Sequence, residues 1–266
     1  MIVDGRQIAH TIYEEVAAQV ATLHRTPILA AITCAPNFET EKYLQLKKRK
    51  ASEVGITLRV VELQETATTA EVIAQIKTIL PEVDGIVVQL PFPAHIDREA
   101  VLKAVPVDKD PDGFSYGTVE GACIPPVVGS IKEIADEHKI IFKGSKVVVL
   151  GAGRLVGAPA ALFLRAAGAD VIVLTEVDTD PIPHLLEADI IVSGIGKPHF
   201  VTTDMIKPGV AIFDAGTSED GGVVVGDVHP DVAALSRLYT PVPGGIGPIT
   251  VALLLRNLLS LIRQYK

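Results

Sequence analysis

Short, almost wholly apolar runs alternate along the chain with longer segments whose apolar residues recur at helical spacing. Residues 27–33, 56–61 and 85–89 read as buried strands, and 8–23, 40–54 and 69–80 as the helices between them. Apolar strands separated by helices are the pattern of a parallel sheet covered on both faces. A turn-rich stretch over 106–126 breaks this rhythm, and a helix is predicted over 128–138. A second series then begins with strand 146–150, helix 157–167 and strand 170–174, and continues with strands 190–193, 210–214 and 237–239. The last helix, about 248–264, follows a Gly- and Pro-rich loop, and its apolar face is expected to pack back on the first series. The chain is therefore read as α/β with two domains: an N-terminal α/β domain over 1–120, completed by the C-terminal helix 246–266, and a second domain over 121–245.

Length agrees with this division, because 266 residues exceed the usual size of one domain. Hydrophobic residues make up 48% against 21% charged, which argues against disorder. The formal net charge of -8 argues against a nucleic-acid surface, since phosphate binding needs an excess of Lys and Arg. Two isolated cysteines, Cys34 and Cys123, suggest neither a disulfide framework nor a zinc site, and a reducing, cytoplasmic compartment is expected. The first residues lack the charged-then-apolar pattern of a signal peptide, so none is expected. The most apolar late stretch, 251–262, is read as too short to span a bilayer and contains Arg256, so no membrane association is expected.

After the strand 147–150 the chain reads GAGRLVGAP, which places Gly151, Gly153 and Gly157 where a strand turns into a helix. Bare backbone there admits a pyrophosphate, and the helix N-terminus offers free N–H groups and a positive dipole to it. Residues 151–157 and the strand that follows read as a Rossmann-type dinucleotide site. Glu176, just beyond that strand, is placed to accept hydrogen bonds from the ribose 2′-hydroxyl of NAD, and Asp178 and Asp180 add charge that repels the 2′-phosphate of NADP. NAD is the expected cofactor, while Arg154 keeps NADP open.

In the first domain Tyr43 and Lys47 stand four residues apart on one face of a predicted helix. A lysine beside a phenol suits proton transfer, but Lys42, Lys48, Arg49 and Lys50 around it make a cluster that usually marks a solvated helix face. Gln89 ends an apolar strand, where ligands of open α/β sheets collect, and is equally compatible with a simple cap of the strand end. The segment DKDPDG (108–113) imitates the start of a calcium loop but fails at its twelfth position, Val119, so no metal is expected. YTPVPGGIGPIT (239–250) is a stiff loop that still lets a ligand approach its backbone.

Together these segments resemble the methylenetetrahydrofolate dehydrogenase/methenyltetrahydrofolate cyclohydrolases nearly end to end: YLQLK with Tyr43 and Lys47, VQLPFP around Gln89, DPDGF with Asp112, VGAP from Val156, VVGDVH from Val224, and TPVPGGIGPIT. The resemblance implies that Lys47 is the catalytic lysine, assisted by Tyr43 and Gln89, and that Asp112 grips the pterin ring. It also implies that Pro243, Gly244 and Gly245 border the substrate and the nicotinamide, while the Rossmann reading of the chain has Gly151, Ala152, Gly153, Arg154, Val156 and Gly157 hold the cofactor with Glu176. Tetrahydrofolate one-carbon derivatives are the implied ligands and a homodimer the implied assembly. The chain departs from the family pattern at Ala152 and Gly153, near Val177, at Ile124 to Val127, and at Thr40, where a serine is usual.

Overall fold

The computed structural model describes residues 1–175 and 180–265. Its contacts divide the chain into two compact units. One comprises Thr11–Ile124 and Val251–Lys266, and the other Met1–His10 and Pro125–Thr250, so the cuts fall inside the first and last helices. In chain order the elements are α1 (Gly5–Val20), β1 (Ile28–Cys34), α2 (Phe38–Glu53), β2 (Thr57–Leu63), α3 (Thr69–Ile79), β3 (Gly85–Val88), α4 (Arg98–Lys103), α5 (Pro126–Glu137), β4 (Lys146–Leu150), α6 (Gly157–Ala166), β5 (Asp170–Leu174), α7 (Ile182–Glu187), β6 (Ile190–Ser193), β7 (Ala211–Asp214), β8 (Ser218–Asp220), β9 (Val223–Val225), β10 (Leu238–Tyr239) and α8 (Ile246–Gln264). Strand and helix thus alternate from α1 to β6 except at the consecutive helices α4 and α5, and among the described residues β6 to β10 follow one another with no α-helix between them. Absent from the sequence-based expectation are the six-residue helices α4 and α7 and the β8–β9 hairpin, all too short for a period to register.

In the unit containing β1, three parallel strands lie in the order β2-β1-β3, with Ile28 opposite Thr57 and Leu29 opposite Gly85. Ile32, Val72, Ile76, Ile86 and Val101 form its core beneath α3 and α4. The C-terminal helix belongs here from Val251 onward. A Cβ on Gly85 would come within 2.7 Å of Leu258 Cδ1, so the bare backbone at the start of β3 gives the Leu258 side chain of α8 its place. Nineteen residues long, α8 is by length and composition apolar enough to cross a bilayer, which corrects the expectation that this stretch is too short. Its side chains at Leu253, Leu254, Leu255, Leu258 and Leu259 are buried in the fold, as in a core helix.

Just before β3 the buried Asp84 joins two strands. It accepts a hydrogen bond from the Ile28 backbone N–H at 2.9 Å and pairs with both terminal nitrogens of Arg25. Burial opposes its charge, but the Arg25 and Ile28 donors outweigh that and hold its pKa below the usual carboxylate value.

The other unit carries a five-stranded parallel sheet in the order β10-β7-β6-β4-β5. Its interior strands β6 and β7 are buried along their whole length, and β4 is buried after Lys146, as expected of a sheet covered on both faces. The N-terminal segment runs along β10, with Val3 N donating to Tyr239 O and Tyr239 N to Met1 O, both at 2.9 Å. In each sheet the strand order reverses once, between β1 and β3 and between β4 and β6. Loops leaving neighbouring strands at such a point diverge and open a crevice at the strands' C-terminal ends.

Replacing Asp84 with Asn leaves the Arg25 guanidinium facing a neutral amide, and urea denaturation at pH 7 is expected to show a loss of about 2–3 kcal/mol. Since the native pKa of Asp84 is depressed, this contribution is present at neutral pH and disappears as pH falls below the unfolded value of about 3.9 and through the lower native one.

Candidate active site

Helix α2 starts from Asn37, whose side chain accepts from Thr40 N at 2.9 Å. Among its described side chains the buried ones are Thr40, Leu44, Lys47 and Ala51, a single stripe at helical spacing, and Lys47 therefore occupies a core position of the helix. Only 7% of Lys47 is exposed, whereas Lys42, Lys48 and Arg49 face solvent. The basic cluster is thus a solvated face with one member turned inward. Nζ of Lys47 donates to Gln89 Oε1 at 2.9 Å and lies 4.8 Å from the centre of the Tyr43 ring. Gln89 follows the last residue of β3 at the reversal of the strand order, with its backbone N–H still paired to Ile32 O at 2.8 Å and its side-chain Nε2 donating to Leu90 O at 3.2 Å.

Asp112 is in the same unit, in the turn after Pro111. Burial of its carboxyl pushes its pKa up, and the positive charge of Lys47 pulls it back down. Two residues earlier, Asp110 accepts from the backbone N–H groups of Gly113 at 3.0 Å and Ser115 at 3.3 Å, which ties the DPDG turn to itself. Burial, reinforced by the Asp112 charge, raises Asp110 to about 7 despite those donors. Burial and the two aspartates raise the Cys123 thiol to about 12, so the thiol stays protonated at neutral pH.

In the other unit the loop after β4 places Gly151 at φ 91°, a conformation that favours glycine, with its N–H bonded to Leu174 O at 2.7 Å. A Cβ on Gly157 would lie 1.9 Å from Gly151 O, so the first turn of α6 rests directly on the loop. A Cβ on Gly153 would meet no described atom within 4 Å, and Val156 starts α6 without a side-chain cap. A helix N-terminus with no capping side chain, reached through bare backbone at a strand-order reversal, fits the pyrophosphate of a dinucleotide. Ala152 and Gly153 are exposed there, and Arg154 and Val156 are half-buried. Glu176 lies outside the described residues. Asp180, read as part of the same acidic run, accepts from Ile182 N at 3.0 Å and so serves the start of α7.

Pro243, Gly244 and Gly245 belong to this second unit, where Gly244 O accepts from Gly5 N at 2.9 Å and Gly245 O occupies the space a Gly5 side chain would need. The expected site residues thus form two groups: Tyr43, Lys47, Gln89 and Asp112 in one unit, and 151–157 with 243–245 in the other. Sequence reasoning missed a pair of wholly buried carboxylates. Asp227 accepts from Ser193 Oγ at 2.7 Å, Ile195 N at 2.8 Å and Lys197 N at 2.9 Å, which fixes the loop after β6. Asp214 accepts from Gly216 N, Asp227 N and Val228 N. Burial, together with the neighbouring Asp227 charge, raises Asp214 to about 7 against those donors. Only in the fold do Gly216 and Gly226 explain themselves, since a Cβ at either would lie within 2.2 Å of a carboxylate atom.

Comparison with known proteins covers almost the whole chain. Residues 3–112 match the tetrahydrofolate dehydrogenase/cyclohydrolase catalytic domain, and residues 124–266 match the NAD(P)-binding domain of the same enzymes. The chain is 36% identical to bifunctional protein FolD 2 of Arabidopsis thaliana over 96% of its own length and 93% of that protein's. Among solved structures it resembles the bifunctional methylenetetrahydrofolate dehydrogenase/cyclohydrolase FolD of Campylobacter jejuni, with TM-score 0.96, 32% identity and coverage of 100% and 99% of the two chains. It also resembles the Trypanosoma brucei enzyme crystallised with NADP and an inhibitor, with TM-score 0.92, 32% identity and coverage of 99% and 97%.

Gly157→Ala must push the loop after β4 away from α6, and calorimetry is expected to show dinucleotide affinity falling at least about tenfold, equivalent to ~1.4 kcal/mol. Asp214 makes a second prediction. Folding takes up a proton between the unfolded carboxylate value of about 4 and the native value, so its contribution to stability declines as pH rises through that window. Measured by urea midpoint, the advantage of the parent over Asp214→Asn should therefore shrink between pH 5 and pH 8, by at most ~1.4 kcal/mol per unit.

Proposed function

The chain belongs to the tetrahydrofolate dehydrogenase/cyclohydrolase family, and from that premise we propose that it oxidises 5,10-methylenetetrahydrofolate to 5,10-methenyltetrahydrofolate with NAD(P) and hydrolyses the product to 10-formyltetrahydrofolate. The observation that carries this reading is the buried Lys47, held by Gln89 at the end of β3 in the domain matched to the catalytic half.

When bound, the dinucleotide supplies the hydride acceptor at its nicotinamide ring. Hydride loss leaves a substrate cation that is already electrophilic at its one-carbon centre, so its hydrolysis needs an activated water and a movable proton and no metal. Lys47 supplies the proton transfer at Nζ. Gln89 Oε1 can only accept, so it takes one N–H of Nζ and aims the rest of the group at the substrate. Tyr43 covers Lys47 with its ring and excludes water from that side. Asp112, whose carboxyl is held between the opposing effects of burial and the Lys47 charge, presents its oxygens to the amino-pyrimidine edge of the pterin. Pro243, Gly244 and Gly245 border substrate and nicotinamide, and the 151–157 loop with α6 holds the pyrophosphate.

NAD is the preferred cofactor in this proposal. Its support is the acidic run Glu176, Asp178 and Asp180 after β5, while Arg154 is the one cation within the 151–157 loop that a 2′-phosphate could use. The two cysteines are free thiols, which suits a reducing cytosol, and the family resemblance supports a homodimer.

Initial rates with methylenetetrahydrofolate and either dinucleotide test the reading, with reduced cofactor and the methenyl chromophore followed together. NAD should be the faster acceptor without accumulation of methenyl product, and faster turnover with NADP would transfer the ribose contact from Glu176 to Arg154. Lys47→Met is expected to lower methenyl hydrolysis by about 10²–10⁴-fold while folate still binds. Retained hydrolysis in that variant would remove Lys47 from the mechanism.

A further inference from the structure

Asn257 is a polar residue on an otherwise apolar face, since Leu253, Leu254, Leu255, Leu258 and Leu259 of α8 are all buried. Its side-chain Nδ2 donates to Pro111 O and to Ile124 O, each at 2.9 Å. A primary amide nitrogen carries two hydrogens, and both are used. The two acceptors come from segments far apart in sequence, one immediately before Asp112 and the other immediately after Cys123.

We infer that Asn257 is a positioning residue for the folate site, holding Asp112 at the angle from which it grips the pterin ring; the inference rests on the reading of Asp112 given above. The carbonyl of Pro111 and the N–H of Asp112 belong to one planar peptide unit. A hydrogen bond that fixes the carbonyl direction therefore fixes the plane from which the Asp112 Cα–Cβ bond departs. On the other side of Asp112, the Asp110 carboxylate holds the N–H groups of Gly113 and Ser115. Asp112 is thus clamped from both directions, by an acid of its own loop and by an amide from the C-terminal helix.

The same helix braces the loop elsewhere. A Cβ on Gly121 would lie 2.9 Å from Tyr265 Oη and 3.1 Å from Gln264 Nε2, and one on Gly85 would lie 2.7 Å from Leu258 Cδ1 and 3.4 Å from Pro111 Cδ. The contact at Ile124 is to its carbonyl oxygen, so the anchor does not depend on the Ile124 side chain. Aspartate has the shape of asparagine but, ionised, has no donor for either carbonyl, and leucine has none at all.

The test compares the parent, Asn257→Asp, Asn257→Ser and Asp112→Ala by calorimetric titration with tetrahydrofolate in the absence of dinucleotide, and by separate titration with NAD. Thermal unfolding identifies the folded variants, and Asn257→Ser, which is small and helix-tolerated, serves if the aspartate variant does not fold. The expected result is a tetrahydrofolate Kd raised about tenfold or more in the Asn257 variants, with the NAD Kd within about twofold of the parent. A tetrahydrofolate Kd equal to the parent's in a folded Asn257 variant, or equal losses for both ligands, overturns the inference. If Asp112→Ala itself binds tetrahydrofolate like the parent, it is the reading of Asp112 that fails. If Asp112→Ala weakens binding and the Asn257 variants do not, only the positioning role fails.

Discussion

A buried ammonium must have an acceptor, and in this protein that requirement is met by one hydrogen bond, from Lys47 Nζ to Gln89 Oε1. The bond constrains everything around it. The stripe of Thr40, Leu44 and Ala51 turns α2 so that Lys47 points inward. The parallel pairing of β3 with β1 brings Gln89 to the end of the sheet. The Arg25–Asp84 pair joins the start of β3 to the start of β1. Gln89 is suited to this position because its amide oxygen can only accept and so takes the Lys47 N–H.

Both units place their functional loops by the same topological device. Where strand order reverses, loops on neighbouring strands part, and the residues just beyond the strand ends are left facing a crevice. In one unit that position holds Gln89. In the other it holds the 151–157 loop, whose shape depends on the contact of Gly157 with Gly151 O. The two sites differ in what stabilises them. The glycine loop is set by backbone packing against backbone, whereas the Lys47 site is set by side chains, with the Lys47 charge opposing the effect of burial on Asp112.

Buried acids and amides then hold the irregular segments still. Asp227 collects Ser193 and two N–H groups of the loop after β6, Asp214 collects three N–H groups from the segments after β7 and β9, and Asp110 ties its own turn. A carboxylate is effective here because one group accepts several donors, which a loop without ladder partners otherwise leaves unpaired. Asn257 is the converse case, an amide donating twice to carbonyls that no strand satisfies.

The sequence by itself determined the strand and helix series, the glycine turn into α6, and the motifs from Tyr43 to Thr250 that mark the family. Each is local: apolar periodicity, a glycine where backbone must approach, and a residue order read directly along the chain. Strands β4, β5 and β6 have the predicted bounds, because fully apolar runs with clear breakers leave little choice. Tertiary structure alone decided which member of the basic cluster 47–50 is buried, because helical spacing gives a face but does not say which way the face points. It alone revealed Asp214, which gathers Gly216 N together with two N–H groups 13 and 14 residues on, and Asp227 and Asn257, whose partners are distant in sequence: 30 to 34 residues separate Asp227 from its donors, and 146 and 133 separate Asn257 from its two acceptors. Such groups look like ordinary polar residues until folding removes water and leaves them only one another as partners.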